Sequence, residues 1–426
     1  MTAVDARRAI EAVWRIESAR LIAGVARIVR DVGLAEDLAH DALVAALEKW
    51  PESGVPANPG AWLMVVAKRR AIDLLRRRAL SERKHEELGR NEATWVESDL
   101  DAAVDDGLGD DLLRLMFVCC HPVLSTDARV ALTLRLLGGL ATVEIARAFL
   151  VPESTIAQRI VRAKRTLAEA RVPFDAPHGA DRAARLSSVL EVIYLVFNEG
   201  YAATAGDDWV RPALCEDALR LGRILAKLAP KESEVHGLVA LMELQASRLR
   251  ARTGPSGEPI LLLDQNRARW DQLLIRRGLA ALEGAERLGG ALGPYGLQAE
   301  IAACHARALT PAETDWLRIA ALYDALAQLA PSSVVELNRA VALAMAFGPA
   351  AGLEVVDALR SEPSLKAYHL LPSVRGDLLA KLGRFEEARA EFERAASLTR
   401  NQRERDLLLE RAHACAPGSA LNGGSA

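Results

Sequence analysis

The sequence predicts an all-α protein of several domains, and three observations carry that prediction. Aromatic residues make up only 4% of the chain, while Ala, Leu, Arg and Glu dominate. That is a composition of helix formers with few strand formers, which argues against a sandwich or barrel. Apolar residues recur at three- and four-residue spacing through most of the length. The chain of 426 residues is also long for one domain.

Half of the residues are apolar and 26% are charged, so a packed and soluble protein is expected. No apolar run approaches the roughly 18 residues that a membrane span needs. The start, Met1-Thr2-Ala3-Val4-Asp5-Ala6, lacks a signal pattern. Five cysteines are odd in number and sparse, which suits a reducing compartment. The expectation is a cytoplasmic protein with no membrane partner.

The net charge of −3 conceals segregation. Residues 1–85 carry 15 basic and 11 acidic side chains, and residues 112–172 carry 9 and 4. Between them, residues 86–111 set Arg90 against ten acids. Two basic blocks around an acidic strip suggest two polyanion-binding modules on a tether. Ordinary solvated helix faces would give the same counts.

In the first block, Ala12, Trp14, Ile16, Ala19, Leu21, Ile22, Val25, Ala26 and Val29 outline a helix that Gly33 closes. Ala35–Trp50 is the second helix, with Leu38, Ala42, Leu43, Ala46 and Leu47 as its buried stripe. Asp37 and Asp41 lie one turn apart on another face. Pro51–Gly60 is rich in Pro and Gly and reads as a loop. The third helix, from Ala61 to about Arg78, is apolar on one half through Trp62, Leu63, Val65, Val66, Ile72, Leu74 and Leu75. Its other half is Lys68, Arg69, Arg70, Arg76, Arg77 and Arg78. Residues 86–109 have little apolar periodicity and read as an acidic linker.

Periodicity resumes near Asp110 and leads to Cys119-Cys120-His121-Pro122, followed by a helix over about Thr126–Leu137. The sharpest motif is 140–168. Thr142 can cap a short helix, Pro152 ends the connection, and Ser154 or Thr155 starts a second helix. Ile156, Ile160, Val161 and Leu167 bury one side of that second helix. Gln158, Arg159, Arg162, Lys164 and Arg165 fill the other arc, with Thr155 at its start. A helical hairpin with a basic second helix is a helix-turn-helix suited to a major groove. Gln can pair with adenine and Arg with guanine, so Gln158 and Arg162, four apart on one face, are the base-reading candidates.

These motifs, in this order and spacing, resemble bacterial sigma factors of the extracytoplasmic-function type. Gly33-Leu34-Ala35-Glu36-Asp37-Leu38-Ala39-His40-Asp41-Ala42-Leu43 resembles the family's polymerase-binding helix. Pro59-Gly60-Ala61-Trp62-Leu63 and the stretch from Ala67 to Arg77 resemble its −10-element helix, and 140–168 its −35-reading helix-turn-helix. Arg69-Arg70 stands where many relatives carry Asn, and Ala157 where many carry a basic residue. The resemblance implies a domain 2 over 1–85, the acidic linker over 86–109 and a domain 4 over 110–173. It implies core RNA polymerase as partner, through the clamp of the β′ subunit and the β flap, with Asp37, Leu38 and Asp41 on the clamp side. Promoter DNA is the second partner. Trp62, Lys68, Arg69, Arg70, Arg76 and Arg77 would meet the −10 element, and Thr155, Gln158, Arg159, Arg162, Lys164 and Arg165 the −35 element. The loop at 51–60 sits where the family places a loop that captures a melted base, and its Pro and Gly content fits a plain connector equally well.

Residues 174–416 continue with helical patterns, including Leu186–Phe197 and Leu219–Leu228, and a loop at Thr253–Pro259. The segment 369–402 fits a tetratricopeptide frame through Gly376, Gly383, Phe385, Ala388, Phe392 and Ala395. Units 334–368, with Gly348 at its turn, and 300–333 extend the frame weakly. Residues 417–426 read as a disordered tail. Phe197-Asn198-Glu199-Gly200-Tyr201, Gly293-Pro294-Tyr295-Gly296-Leu297-Gln298 and Thr314-Asp315-Trp316 resemble recurrent segments of the sigma subgroup with a long C-terminal helical-repeat extension. In that subgroup the extension is thought to regulate the sigma core in place of a membrane anti-sigma factor. The resemblance thus implies an intramolecular contact between extension and core, and leaves room for a regulatory protein as a further partner.

No catalytic constellation stands out, so an enzyme is not expected, and no cofactor is implied. Cys119-Cys120-His121 lacks the further ligands that structural zinc needs, so buried small side chains are the better reading. Gly200 reads as the stop of a helix. Two functions stay open at this point. One is a sigma factor regulated by its own extension. The other is a helix-turn-helix regulator on a repeat scaffold that does not replace the sigma subunit.

Overall fold

The computed structural model describes residues 3–86, 108–289 and 292–416. Most of the linker expected at 86–109 and the whole tail expected at 417–426 lie outside the described residues. Eighteen α-helices and one two-stranded pairing make up the described chain. Its contacts divide it into two units, 1–195 and 196–426.

The first unit opens with α1 (Ala3–Val29), α2 (Val32–Ser53) and α3 (Pro59–Glu86), which pack on one another. Ile10, Leu21, Ile22, Val25, Leu38, Trp50 and Leu63 fill their common core. The break between α1 and α2 falls at Arg30-Asp31, not at Gly33. Arg30 takes the left-handed conformation (φ 54°), and the Asp31 carboxylate accepts from the Leu34 N–H at 2.8 Å. Gly33 sits inside α2, because this side-chain cap restarts the helix ahead of it. The Pro-rich loop is also shorter than its composition suggests. α2 carries Pro51 in its last turn, and Gly54 (φ 82°) ends it by donating to the Trp50 carbonyl at 2.9 Å. Asn58 then caps α3, accepting from the Ala61 N–H at 3.1 Å.

α4 (Leu108–Cys119) packs against α1 and leads into α5 (Thr126–Leu136), capped by Ser125. α6 (Thr142–Ala148) and α7 (Glu153–Glu169) form the helix-turn-helix. Thr142 is the first residue of α6, not its cap. Ala141 holds the cap position, where its N–H donates to the Glu144 carboxylate at 2.7 Å. Pro152 is the cap of α7, and the left-handed Leu150 (φ 51°) makes the turn between the helices.

α8 (Gly179–Tyr201) follows, and its first half belongs to the first unit. There Ser188 Oγ donates to the Cys120 carbonyl at 2.7 Å, and Arg129 reaches Glu191 at 3.0 Å. Gly200 lies within the last turn of α8 rather than stopping it. A Cβ there would stand 2.7 Å from the Cys215 amide nitrogen, so close packing accounts for the glycine.

The second unit contains α9 (Pro212–Leu228), α10 (Ser233–Ala246), α11 (Gln272–Gly289), α12 (Pro294–Arg307), α13 (Trp316–Leu329), α14 (Ser333–Phe347), α15 (Pro349–Ala358), α16 (Leu370–Lys381), α17 (Phe385–Leu398) and α18 (Gln402–Ala414). α12 packs chiefly on α10, and from α13 on each helix packs mainly on its neighbours in the chain, the nearest-neighbour order of a tetratricopeptide-like helical repeat. α16 and α17 are the pair read at 369–402, with Gly383 (φ 76°) at their turn; Gly348 (φ 100°) turns α14 into α15. The segment around Gly293 is a helix start, where Glu234 accepts from the Tyr295 and Gly296 N–H groups at 2.9 and 3.1 Å. Asp315 likewise caps α13.

The two ends of this unit meet in a short parallel pairing, β1 (Ala205–Gly206) with β2 (Arg400–Asn401). Asn401 is fully buried and donates to the Ala203 and Asp208 carbonyls at 3.0 and 2.8 Å. No described helix is long and apolar enough to cross a membrane.

The α16–α17 contact is tight at Gly376, where a Cβ would stand 2.9 Å from the Phe392 ring. Gly376→Ala is therefore expected to cost about 1–3 kcal/mol through overpacking. Phe392→Leu in the same chain should recover part of that loss, because the two sites share one space. Urea unfolding of the two single variants and the double variant tests this, and strict additivity would contradict it.

Candidate nucleic-acid and polymerase interface

The third helix turns its small and apolar residues inward at four-residue intervals. Leu63, Ala67 and Ala71 are buried, so the basic residues between them face outward. Arg69, Arg76, Arg77 and Arg78 are exposed, and Lys68 and Arg70 are half-buried. Trp62 is placed differently. It is half-buried and meets the fully buried Trp50 edge-on, with ring centroids 5.4 Å apart.

On α2, Asp37 and Asp41 are exposed and share a stripe with Val44, which is 50% exposed. Leu47, read as buried, is 40% exposed beside them. Leu38 is buried, and its side chain packs into the core of α1–α3. The sequence pattern could have found Val44, since 37, 41, 44 and 48 repeat at helical spacing on the side away from Ala42, Ala45 and Ala46. Asp41 pairs with Arg70 at 3.0 Å, linking the candidate polymerase face to the candidate −10 face.

On α7, Ile156, Ile160, Ala163 and Leu167 are buried. Ser154, Ala157, Gln158, Val161, Arg162 and Arg165 form the exposed face. Val161, read as a core residue, is 64% exposed and stands between Gln158 and Arg162. The small Ala163 is buried instead. Thr155 and Arg159 are half-buried, and Arg159 pairs with Asp127 at 3.0 Å. Arg165 pairs with Glu169 within the helix at 2.6 Å.

Lys164 is drawn into an interior cluster. Its partner is Glu36 of α2, a carboxylate only 3% exposed. Arg135 of α5 donates to the same carboxylate at 2.7 Å and to the Leu140 carbonyl at 3.3 Å. His40 completes the group, with Nδ1 2.9 Å from the Glu36 carbonyl and Nε2 3.2 Å from Arg135 Nη2. Both contacts are satisfied together when Nδ1 carries the proton. Burial alone would push the Glu36 carboxyl up, but Lys164 and Arg135 together hold it below the usual carboxylate range. Two further pairs join the same halves of the unit: Arg15 to Glu144 at 3.1 Å and Arg27 to Asp111 at 3.6 Å. At Asp111 burial prevails over Arg27 and Arg114, and its carboxyl is raised.

Cys119 and Cys120 are buried, and burial pushes the Cys120 thiol up to about 12. The described residues hold no cluster of three or more potential metal ligands.

With this geometry in view, the comparisons with known proteins are informative. Residues 16–80 match Sigma-70 region 2, residues 114–167 match Sigma-70 region 4, and residues 185–286 match a family of unknown function, DUF6596. An uncharacterised protein of Rhizobium meliloti is 45% identical over 379 residues, which cover 89% of each chain. The probable ECF RNA polymerase sigma factor SigI of Mycobacterium tuberculosis is 28% identical over 167 residues, 38% of this chain and 56% of that one. The crystal structure of yeast Tom70 aligns over 97% of this chain and 84% of its own, at 13% identity and a TM-score of 0.31, too low to bear on the fold. The chain thus carries the two regions of a sigma factor in sequence order and shares them with ECF RNA polymerase sigma factors, and a long helical extension follows them.

The Glu36 cluster has a measurable signature. Its folded carboxyl is depressed, so its contribution is complete above the unfolded value near 4.3 and is lost as pH falls through the folded value. Glu36→Gln leaves two cations without their carboxylate and should cost about 3–5 kcal/mol at neutral pH. The same variant should flatten the decline of stability below about pH 4. Urea unfolding of the full chain across that range checks both, and an unchanged acid limb would remove Glu36 as its source.

Proposed function

We propose that the chain binds core RNA polymerase and directs it to promoters, with α2 on the polymerase clamp, α3 at the −10 element and α7 at the −35 element. The observation that carries this reading is the pair of exposed basic faces, on α3 and α7, each within a matched sigma region. Arg76, Arg77, Arg69 and Lys68 would neutralise phosphates, which supplies affinity without sequence choice. Gln158 and Arg162 would read base edges, with Val161 placed to meet a thymine methyl. Asp37 and Asp41, with Val44 and Leu47, would form a mixed acidic and apolar face for the clamp. This is binding rather than catalysis, and its setting is the cytoplasm, where the polymerase is.

The form described here is closed. Elements at −10 and −35 lie about 25 base pairs apart, or about 85 Å of duplex at 3.4 Å per step. A packed unit of this length is only about 40 Å across. Both elements are therefore read only after the Glu36–Lys164 cluster and its neighbouring pairs separate. Separation also frees Lys164 for DNA. The C-terminal unit is the regulator in this reading, and it acts by biasing the sigma unit between closed and open.

Run-off transcription with purified core polymerase tests the function, and the absence of any promoter-dependent transcript would favour a regulator that does not replace the sigma subunit. Arg162→Ala should cost about 1–3 kcal/mol of promoter binding and relax base preference at the upstream element. Arg77→Ala should weaken binding evenly across sequences and lower its salt dependence. Asp37→Lys should reduce core-polymerase affinity without loss of helicity; unchanged affinity defeats the clamp assignment. A truncation that tests the C-terminal unit must keep α8, because a cut at Pro173 would strip Ser188 and Glu191 from Arg129. A chain ending at Tyr201 that matches full-length transcription under all conditions would overturn the regulatory role.

A further inference from the structure

The second unit treats buried charge consistently, with one exception. Glu243 is 1% exposed and has Arg223 at 2.8 Å and Arg277 at 3.4 Å. Glu300 is 2% exposed and has Arg307 at 2.8 Å and Arg318 at 2.5 Å. Each of these two buried carboxylates thus has two guanidinium partners. Arg248, Arg252 and Arg267 form the opposite case, a group of enclosed cations with no carboxylate at ion-pair distance among the described residues.

Arg248 follows α10, Arg252 ends the 3-10 turn Leu249–Ala251, and Arg267 begins the 3-10 turn Arg267–Arg269. Arg248 and Arg267 are 9% and 8% exposed. Arg267 spends its Nη atoms on the His305 and Ala308 carbonyls and on Thr314 Oγ1, at 2.7–2.9 Å. Arg252 lies over the Tyr201 ring, 3.8 Å from its centroid, and 5.5 Å from that of Trp209. The Arg248 side chain stands 5.7 Å from both the Tyr201 and Trp270 ring centroids, with no hydrogen bond or ion pair among the described residues.

Ring faces ease the burial of these cations without accepting all of their N–H groups, and Arg252 also hydrogen-bonds to Tyr201. The Nε atoms of all three arginines are buried without a hydrogen-bond partner, and so are the indole nitrogens of Trp209 and Trp270. The surroundings carry the mark of the uncompensated positive charge. His305 is pushed down to about 3 by burial and by Arg248 and Arg267, so it stays neutral. Burial, with Arg248 adding to it, lowers the Arg252 and Arg267 guanidinium values. Enclosed cations and unmet donors are strongly disfavoured unless something anionic joins them.

We propose that this cluster is a binding site for the oxyanion group of a small molecule, a phosphate or a carboxylate, held by Arg248 and Arg252 with the Trp209 and Trp270 indole N–H groups as flanking donors. Guanidinium favours oxyanions because its fork matches two oxygens at once. Arg267 fixes the local backbone and adds its field. The site would make the C-terminal unit a receptor for an anionic metabolite, and it stands independently of the promoter reading.

The full chain is titrated with inorganic phosphate and separately with malonate, at constant ionic strength against chloride, following calorimetry, tryptophan fluorescence and the thermal midpoint. The expected result is saturable binding of one or both probes, with a fluorescence change from Trp209 and Trp270. Preference for phosphate or malonate separates a phosphorylated source from a carboxylate one. Arg248→Met, which keeps the apolar stem, should weaken binding at least tenfold while the chain stays folded. Should that variant not fold, the wild-type titration decides alone. Two results overturn the site: no saturable response to either probe, or a midpoint rise of equal size in wild type and Arg248→Met, which is the general effect of excluded salts.

Discussion

A buried carboxylate stands at the centre of the contacts that hold the sigma unit in its form. Glu36 lies within α2, the helix that begins at the Asp31 cap, and it is almost wholly removed from water. A carboxylate in that position is tolerated only when paired, and Arg135 and Lys164 pair it from two other helices. Because Lys164 belongs to the helix proposed to read DNA, the charge that would meet a phosphate is the charge that closes the unit. The proposed polymerase contact, the proposed DNA contact and closure would thus draw on one small set of side chains. Asp41 and Arg70 repeat the arrangement on the other face.

Much of this architecture was legible in the sequence because it is local. The three first helices, the helix-turn-helix around Pro152 and the Gly376–Phe392 pair all follow from residues within a few turns of one another. The errors share a physical cause. Gly33 looked like a stop, but a side-chain cap two residues earlier outweighed it. Val161 and Leu47 were assigned to the buried side by periodicity, which gives the phase of a stripe but not its width or what lies opposite. Lys164 has the type and spacing of a phosphate contact, and only a partner 128 positions away in the chain draws it inward.

The second unit shows the same division. Its nearest-neighbour helices were readable from small and aromatic residues at fixed offsets. Its closure was not, since Asn401 reaches Ala203 across 198 positions. The cation cluster was equally hidden. Arg248, Arg252 and Arg267 are unremarkable one by one, and Tyr201, Trp209, Trp270 and His305 come from separate segments. Only their convergence shows charge without compensation, in a unit that elsewhere compensates every buried carboxylate described above twice over.

The central claim is that a closed sigma unit opens to read two promoter elements. Its most direct measurement is the distance between α2 and α7 in the free chain and on promoter DNA. All five cysteines are buried, so dyes on Glu52→Cys and Ala168→Cys, both at exposed positions, report that distance by energy transfer. The account predicts high transfer in the free chain and a large fall once core polymerase and promoter are bound. Transfer that stays at the free-chain value in a complex that transcribes would contradict it.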